Sequence, residues 1–490
     1  MSDSHPQRHA ALAALLSFLF PGLGQAYDGQ RHLAAILALP VVALIAGALA
    51  MVLLVDRGLT NVLLSTTALT TLLVIDMALM GWRLLAIAQA GLGVPRAVGA
   101  GALSGVRRLM PSSRQGRIGF VVVLLAITVA MHGWAGLVIG HLDSALEDVF
   151  SGGGTSQPGG GDGNADVPLN EPDYAWDGTQ PINFLLLGVD SGPGRDEALT
   201  DTILVVSIDP VDESAVMVSI PRDTALLPLP DTSIYPEGLY PLKINQLSTE
   251  ARQEAATWCP DMAVAQAELC GIRSLERTVG LYLGIPIQYY AQVDLRGFAS
   301  IIDAVGGVTL CLPGRLVDTQ YTGPGFTAVG IELPAGCASY DGAHALAYAR
   351  SRKGYIELPD GTREQQDDFK RSDRQQRVLL ELRREIAAVD LVFELPSLLD
   401  AIGQTVTTDF PREKAGDLAA LMQLVTGPDI QRVVLGLPDY VNPPDQPLVN
   451  YVITPRRDAI RTKMASLFGA DALRGWYLLD EPPPSSAAGG

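Results

Sequence analysis

INFLLLGVDSGPGRDEALTDTILVVSIDPVDESAVMVSIPRD (182–223) carries the reading of the fold. Ile182–Gly188 is an unbroken apolar run ended by glycine, the pattern of a strand buried on both faces. Thr202–Asp209 and Ala215–Ile220 read as two further strands, with DPVDE as the turn between them. Beyond them, helical patterns occupy 262–284 and 295–305, a strand 308–312, a short helix 342–349 and a charged amphipathic helix 373–388. LPSLLDAIGQTV follows from 395, then a helix over 414–426 and a strand over 433–437. Strand-like NYVITP and helix-like RRDAIRTKMASLF, within 440–470, are expected to pack onto the same domain. Strands alternating with helices predict an α/β domain of three layers, helix on sheet on helix.

The N-terminal side has a different solvent. Leu33–Val55 has no charge, 59–82 contains only Asp76, and 118–142 contains only His132 and His141. These lengths predict three transmembrane helices. Between the second and third lie Arg83, Arg96, Arg107, Arg108, Arg114 and Arg117 without an acid, which places that loop in the cytoplasm and everything after about 145 outside. The run 10–27 is broken by Pro21-Gly22-Leu23-Gly24 and reads as a re-entrant or interfacial helix rather than a cleaved signal. Asp76, an acid within a span, receives no role.

Charge divides the chain likewise. Of a formal net charge of -18, residues 1–150 hold nine Arg and seven acids, and the rest holds 26 basic and 46 acidic residues. An acidic exterior argues against a nucleic-acid partner. Cys259, Cys270, Cys311 and Cys337 all lie beyond the spans, and an even number in an oxidising compartment predicts the disulfides Cys259–Cys270 and Cys311–Cys337. A four-thiolate metal site is the alternative, without a C-x-x-C spacing to support it.

Residues 151–490 contain one histidine, His344, and five lysines, while Arg222, Arg350, Arg352, Arg371 and Arg374 sit in compact motifs. Guanidinium forks grip phosphate oxygens bidentately, whereas histidine is the usual general base. A serine hydrolase is poorly supported, since GVDSG lacks the G-x-S-x-G spacing. Asp190 and Asp201, each beside an apolar strand, are candidates for a hard cation at a sheet end.

In order along the chain stand LLLGVDSG, TDTILVVSIDP, VMVSIPRDT, KIN, LGIPIQYYAQVDLRGFASIIDAVGGVTL, YDGAHALAYARSR and DDFKRSDRQQ. Over about 182–390 this series resembles the LytR–CpsA–Psr family. The resemblance implies a domain with a mixed central sheet, and a membrane-anchored phosphotransferase that moves a phosphoglycopolymer from a polyprenyl-pyrophosphate carrier to peptidoglycan or another envelope acceptor. It implies Asp190 and Asp201 as ligands of Mg²⁺ or Mn²⁺, and Arg222, Arg350, Arg352 and Arg371 as the pyrophosphate clamp. Asp368 and Gln375 are implied in polar or acid–base work, with Asp223 as a rival to Asp368. Lys243 and Asn245 of KIN are implied in substrate positioning. Arg374 is expected at the helix surface or in an ion pair.

The chain departs from the family pattern at two positions. Leu199 stands where many members carry Arg, with Arg195 in the preceding loop as a candidate replacement, and Gln246 follows KIN where His is usual. The expected organisation is a membrane region (1–145), a Gly-rich extracellular linker (146–180), the catalytic domain (181–390), a C-terminal part packed on it (391–478) and a disordered tail (479–490). The apolar faces of 278–287, 298–305 and 418–425 are candidates for the lipid tail as well as ordinary core. Two other readings share the site: a non-catalytic sensor or scaffold that retains the pyrophosphate lipid, and a pyrophosphatase that uses water as acceptor.

Overall fold

A computed structural model describes residues 9–54, 65–92, 111, 113–150, 176, 180–190, 199–323, 329–388, 395–414, 417, 430–444 and 451–473. The Gly-rich stretch 151–170, Arg195, most of the expected helix 414–426 and the tail from 479 lie outside these residues. The chain forms two compact units, residues 1–144 with 415–417, and residues 145–414 with 418–490.

In the first unit α1 (Ala10–Leu19) and α2 (Leu23–Tyr27) are separated at the proline–glycine break. Gly22 makes that turn with φ of 99°, and a Cβ there would lie 2.4 Å from the carbonyl oxygen of Ala34. Next come α3 (Arg31–Leu54), α4 (Thr66–Leu92) and α5 (Arg114–Phe150), each long and apolar enough to cross a membrane. Helix α5 continues through Phe150, into residues expected to begin the linker. The PGLGQ element docks on α4. Buried Gln25 accepts from Ser17 Oγ at 3.0 Å and donates to the Ala86 carbonyl and to Gln89 Oε1, both at 2.8 Å. Arg83 donates to the Phe18 carbonyl at 2.7 Å.

The second unit is built on β1 (Ile182–Asp190), β2 (Leu199–Asp209) and β3 (Ser214–Ser219), an antiparallel meander. The short pair β4 (Leu227–Pro228) and β5 (Leu239–Tyr240) precedes α6 (Ile244–Gln253) and α7 (Ala267–Leu283). Strand β6 (Tyr289–Asp294) then joins β1 in parallel and leads into α8 (Leu295–Ala304). Strands β7 (Val308–Leu312), β8 (Arg315–Asp318), β9 (Ile331–Leu333), β10 (Gly336–Tyr340), β11 (Tyr355–Glu357) and β12 (Arg363–Gln365) form two smaller sheets. Within this stretch lies α9 (Gly342–Arg350), and after it come α10 (Asp368–Ala388), α11 (Leu395–Gly403), β13 (Val406–Thr408), β14 (Ile430–Val434) and α12 (Arg457–Phe468). The central sheet runs β13-β6-β1-β2-β3-β14. Because β1/β6 and β3/β14 are parallel and the other pairs antiparallel, the sheet is mixed.

Strand periodicity makes the layers. Leu185 and Leu187 face Leu247, Leu275, Val279 and Tyr282 of α6 and α7, whereas Ile182 and Phe184 face Tyr289 and Phe410. Full burial of each such side chain contributes about 1.5–3 kcal/mol. The apolar faces of 278–287 and 298–305 are packed core: Val279, Tyr282, Leu283, Ile285 and Ile287 in one cluster, Ile301 and Ile302 in another. Both expected disulfides are present, Cys259–Cys270 and the cross-strand pair Cys311–Cys337 of β7 and β10.

Candidate functional site

A cleft of about 700 Å³ opens where β1 and β2 meet, lined by Asp190, Leu199, Asp201 and Arg222 from the central sheet. Asp318 at the end of β8 lines it with Gln320, Tyr321 and Thr322 beyond, Arg350 at the end of α9 with Arg352 and Lys353 beyond, and Arg371 from α10. Five cationic side chains face three carboxylates there, so the cleft suits an anion.

The sheet aims the two aspartates. Asp190 ends β1 opposite Leu199, Val189 pairs with Thr200, and Gly188 pairs with Thr202. Asp201 is therefore the extra residue of a β-bulge, a device that turns a side chain out of the regular alternation. Gly188 admits the close approach, since a Cβ there would lie 2.8 Å from Thr202 Cβ. The carbonyl of the bulged Asp201 accepts from Arg371 Nη2 at 2.8 Å.

Arg222 enters from the turn after β3. Its Nη1 lies 2.5 Å from Asp201 Oδ1, and its Nε lies 3.5 Å from Asp368 Oδ1. Asp368 Oδ1 also meets Arg371 Nη1 at 3.1 Å, so one carboxyl holds two guanidiniums. Arg350, the last residue of α9, lies 3.3 Å from Asp190 Oδ2. Burial pulls the Arg222 guanidinium down, but Asp201, Asp368 and Asp223 outweigh it and leave its pKa raised. Burial pushes the Asp368 carboxyl up, against the opposing pull of Arg371 and Arg222. The Arg371 guanidinium is lowered, mainly by burial.

The structure thus brings Asp190, Asp201, Arg222, Arg350, Arg352 and Arg371 to one cleft, with Arg352 exposed at its rim. Asp368, Asp223, Lys243 and Asn245 are not among the lining residues. Lys243 Nζ pairs with Asp223 Oδ1 at 2.6 Å, and Asn245 N donates to the Arg222 carbonyl at 3.3 Å. Gln375 is half-buried on α10, and its neighbour Gln376 pins that helix to Ser219 Oγ at 2.8 Å and to the Val433 carbonyl at 3.0 Å. His344 stands outside the cleft, with Nδ1 2.6 Å from the helix-capping Asp341.

Arg374 corrects a sequence expectation. It is buried rather than on the surface, and donates to the carbonyls of Tyr348 and Ser351 and to Gln366 Oε1. Ser351 Oγ in turn donates to buried Asp318 at 2.7 Å, so the turn bearing Arg350 and Arg352 is held from two sides. Sequence reading missed Asp318, Gln320, Tyr321 and Thr322. They lie between a short strand and residues 324–328, where no periodic pattern marks them.

A mixed α/β domain thus sets arginines against two aspartates at a sheet end, an arrangement suited to binding an anion. The chain belongs to the LytR_cpsA_psr family, whose profile matches residues 162–437. It is 31% identical over 240 residues to a Bacillus mycoides (strain KBAB4) protein named polyisoprenyl-teichoic acid–peptidoglycan teichoic acid transferase TagU, covering 49% of this chain and 64% of that one. The protein of the same name from Halalkalibacterium halodurans is 29% identical, covering 48% and 64%. The chain thus spans about 64% of the length of these relatives. Among solved structures, B. subtilis TagV is 23% identical with a TM-score of 0.44, covering 60% of this chain and 98% of that chain. A structure described as TagT bound to LIIa-WTA is 20% identical with a TM-score of 0.41, covering 60% and 92%.

Proposed function

We propose that this cleft transfers a phosphoglycopolymer from a polyprenyl-pyrophosphate carrier to an envelope acceptor, with peptidoglycan as the acceptor class. The observation that carries the proposal is the meeting of Arg222, Arg350 and Arg371 with Asp190 and Asp201 in one cleft, in a member of this family. An acceptor hydroxyl attacks the glycan-side phosphorus and a new P–O bond forms. The bond to the bridging oxygen breaks, and polyprenyl monophosphate leaves. The arginines neutralise charge on the bridging and transferring oxygens as that bond breaks. The hydroxyl proton passes to a base, for which Asp368 is the candidate: burial raises its proton affinity above that of an ordinary carboxylate. Its contacts also give it a second role, holding Arg222 and Arg371 together.

Asp190 and Asp201, both lining the cleft, are the residues that would hold a hard divalent cation, Mg²⁺ or Mn²⁺. Among the described residues no group of three or more His, Cys, Asp or Glu converges. Water and substrate phosphate would complete the coordination shell, as Mg²⁺ prefers. When bound, such an ion supplies charge neutralisation at the phosphate oxygens. The three apolar helices and the basic residues between the second and third support an extracytoplasmic domain on a multi-pass anchor with a cytoplasmic N-terminus. Two disulfides agree with that side of the membrane.

The test is turnover of a polyprenyl-pyrophosphate glycan by the full chain in lipid. Asp201→Ala and Arg222→Ala should each lower it by about 10²–10³-fold, the range for removing one preorganised charge-stabilising group. Full turnover in both folded variants would overturn the assignment. Leu199 at the cleft favours a second reading, a scaffold that keeps the lipid without transferring it. Co-purified polyprenyl-pyrophosphate glycan with no product would support that reading.

A further inference from the structure

The membrane unit contains a polar pair that the transferase reading does not use. Asp76 on α4 and His132 on α5 meet with Oδ1 and Nδ1 2.7 Å apart, and neither side chain is more than 15% exposed. Trp82 lies six positions beyond Asp76 and Leu142 ten positions beyond His132, about 9 Å and about 15 Å of helix, so both lie within hydrocarbon when the helices span. Beside the pair the two helices are in ordinary van der Waals contact: a Cβ at Gly136 of α5 would lie 3.4 Å from Leu73 Cδ1 and 3.5 Å from Met77 Cε of α4.

Two atoms of the pair are unsatisfied. Asp76 Oδ2 and His132 Nε2 are buried with no hydrogen-bond partner among the described residues. Among the described residues of these helices no other charge compensates them. The only other charged residue of α4 is Arg83, held by the Phe18 carbonyl. Helix α5 has Arg114, Arg117, His141, Asp143, Glu147 and Asp148, none closer than nine residues to His132. Helix α1 has no charge, and α3 has only Arg31 and His32 at its start.

We propose that Asp76 and His132 form a proton-binding site within the membrane that latches the second span to the third. A net charge held within a membrane span is costly, and a neutral pair avoids that cost. The pair is neutral only when it holds one proton, whether as carboxylate with imidazolium or as carboxylic acid with imidazole. These two forms have the same composition and charge. Gain of a second proton leaves a net positive site, and loss of the first leaves a negative one. The orphaned Oδ2 and Nε2 are the atoms at which the proton count changes, and water at a membrane face is the proton's source and sink. Occupancy of the site and contact between the spans are therefore linked. The linkage needs only that α4 and α5 span, and it stands or falls apart from the transferase reading.

The test uses the full chain in lipid nanodiscs, with ¹³C-aspartate and ¹⁵N-histidine labels followed against pH and spin labels reporting the α4–α5 distance. The Asp76 carboxyl and His132 ring should change through shared transitions, and the interhelix distance should change with them. Asp76→Asn should move the His132 transition, and the double variant Asp76→Asn/His132→Gln should make the distance independent of pH. An unchanged His132 titration in Asp76→Asn would overturn the proposal, as would an interhelix distance insensitive to pH in the unmodified chain. Either would leave a polar contact that only packs two helices.

Discussion

Asp368 shows how one side chain decides the behaviour of two others, with Arg371 at 3.1 Å and Arg222 at 3.5 Å from the same oxygen. Burial raises its pKa, so as pH falls the carboxylate is lost above the ordinary carboxylate range, and with it the hold on both guanidiniums. Turnover should decline on that acid limb, and Asp368→Asn should flatten the limb while lowering the maximum. The sign for stability is opposite. The native carboxyl binds its proton more tightly than the unfolded one, so this group favours the fold most at low pH and loses that contribution as pH rises through its native pKa. A pH–rate profile beside thermal unfolding of the same samples therefore separates loss of the site from loss of the fold. An acid limb unaltered in Asp368→Asn would contradict this role. The residue types were legible in sequence, because arginine without histidine already pointed toward an anion rather than a histidine base. The partners were not: Arg374 grips carbonyls of residues more than twenty positions away.

The elements were read correctly where periodicity was strong. Strands form at Ile182–Asp190 and Leu199–Asp209, where the apolar run Ile182–Gly188 and the stretch Thr202–Asp209 predicted them, and 295–305 holds a helix at Leu295–Ala304. The helix expected from 373 begins at Asp368, because Asp367 Oδ1 accepts from Lys370 N at 2.8 Å and caps it earlier. That capping aspartate was the available signal, and the earlier start puts Arg371 on a helix. The bulge at Asp201 left no sequence pattern at all, since only the register of β1 against β2 defines it. One contact between elements went unread: Arg273 of α7 reaches Glu276 at 3.0 Å and Asp409, after β13, at 2.9 Å. Burial pushes both carboxyls up while the guanidinium holds them down. Arg273→Met leaves two enclosed carboxylates without their cation and should destabilise the domain by about 3–5 kcal/mol. Denaturant unfolding measures this, and a loss under about 1 kcal/mol would show that the triad is solvated.

At the scale of the molecule, the chain joins a basic apolar anchor to an acidic domain, a division that charge and hydropathy displayed without any structure. The mixed sheet, with the cleft at the end of its central strands, required the long-range pairings β1/β6 and β3/β14, which close loops of about a hundred and two hundred residues that no local pattern encodes. What the anchor and cleft together predict is a reaction on an amphiphilic donor. The most direct measurement is product analysis after the full chain in lipid is given a polyprenyl-pyrophosphate glycan and peptidoglycan. Release of polyprenyl monophosphate matched by glycan joined to peptidoglycan through a phosphodiester is the predicted result. Lipid retained without release, or glycan phosphate freed to water with none on the acceptor, would contradict it.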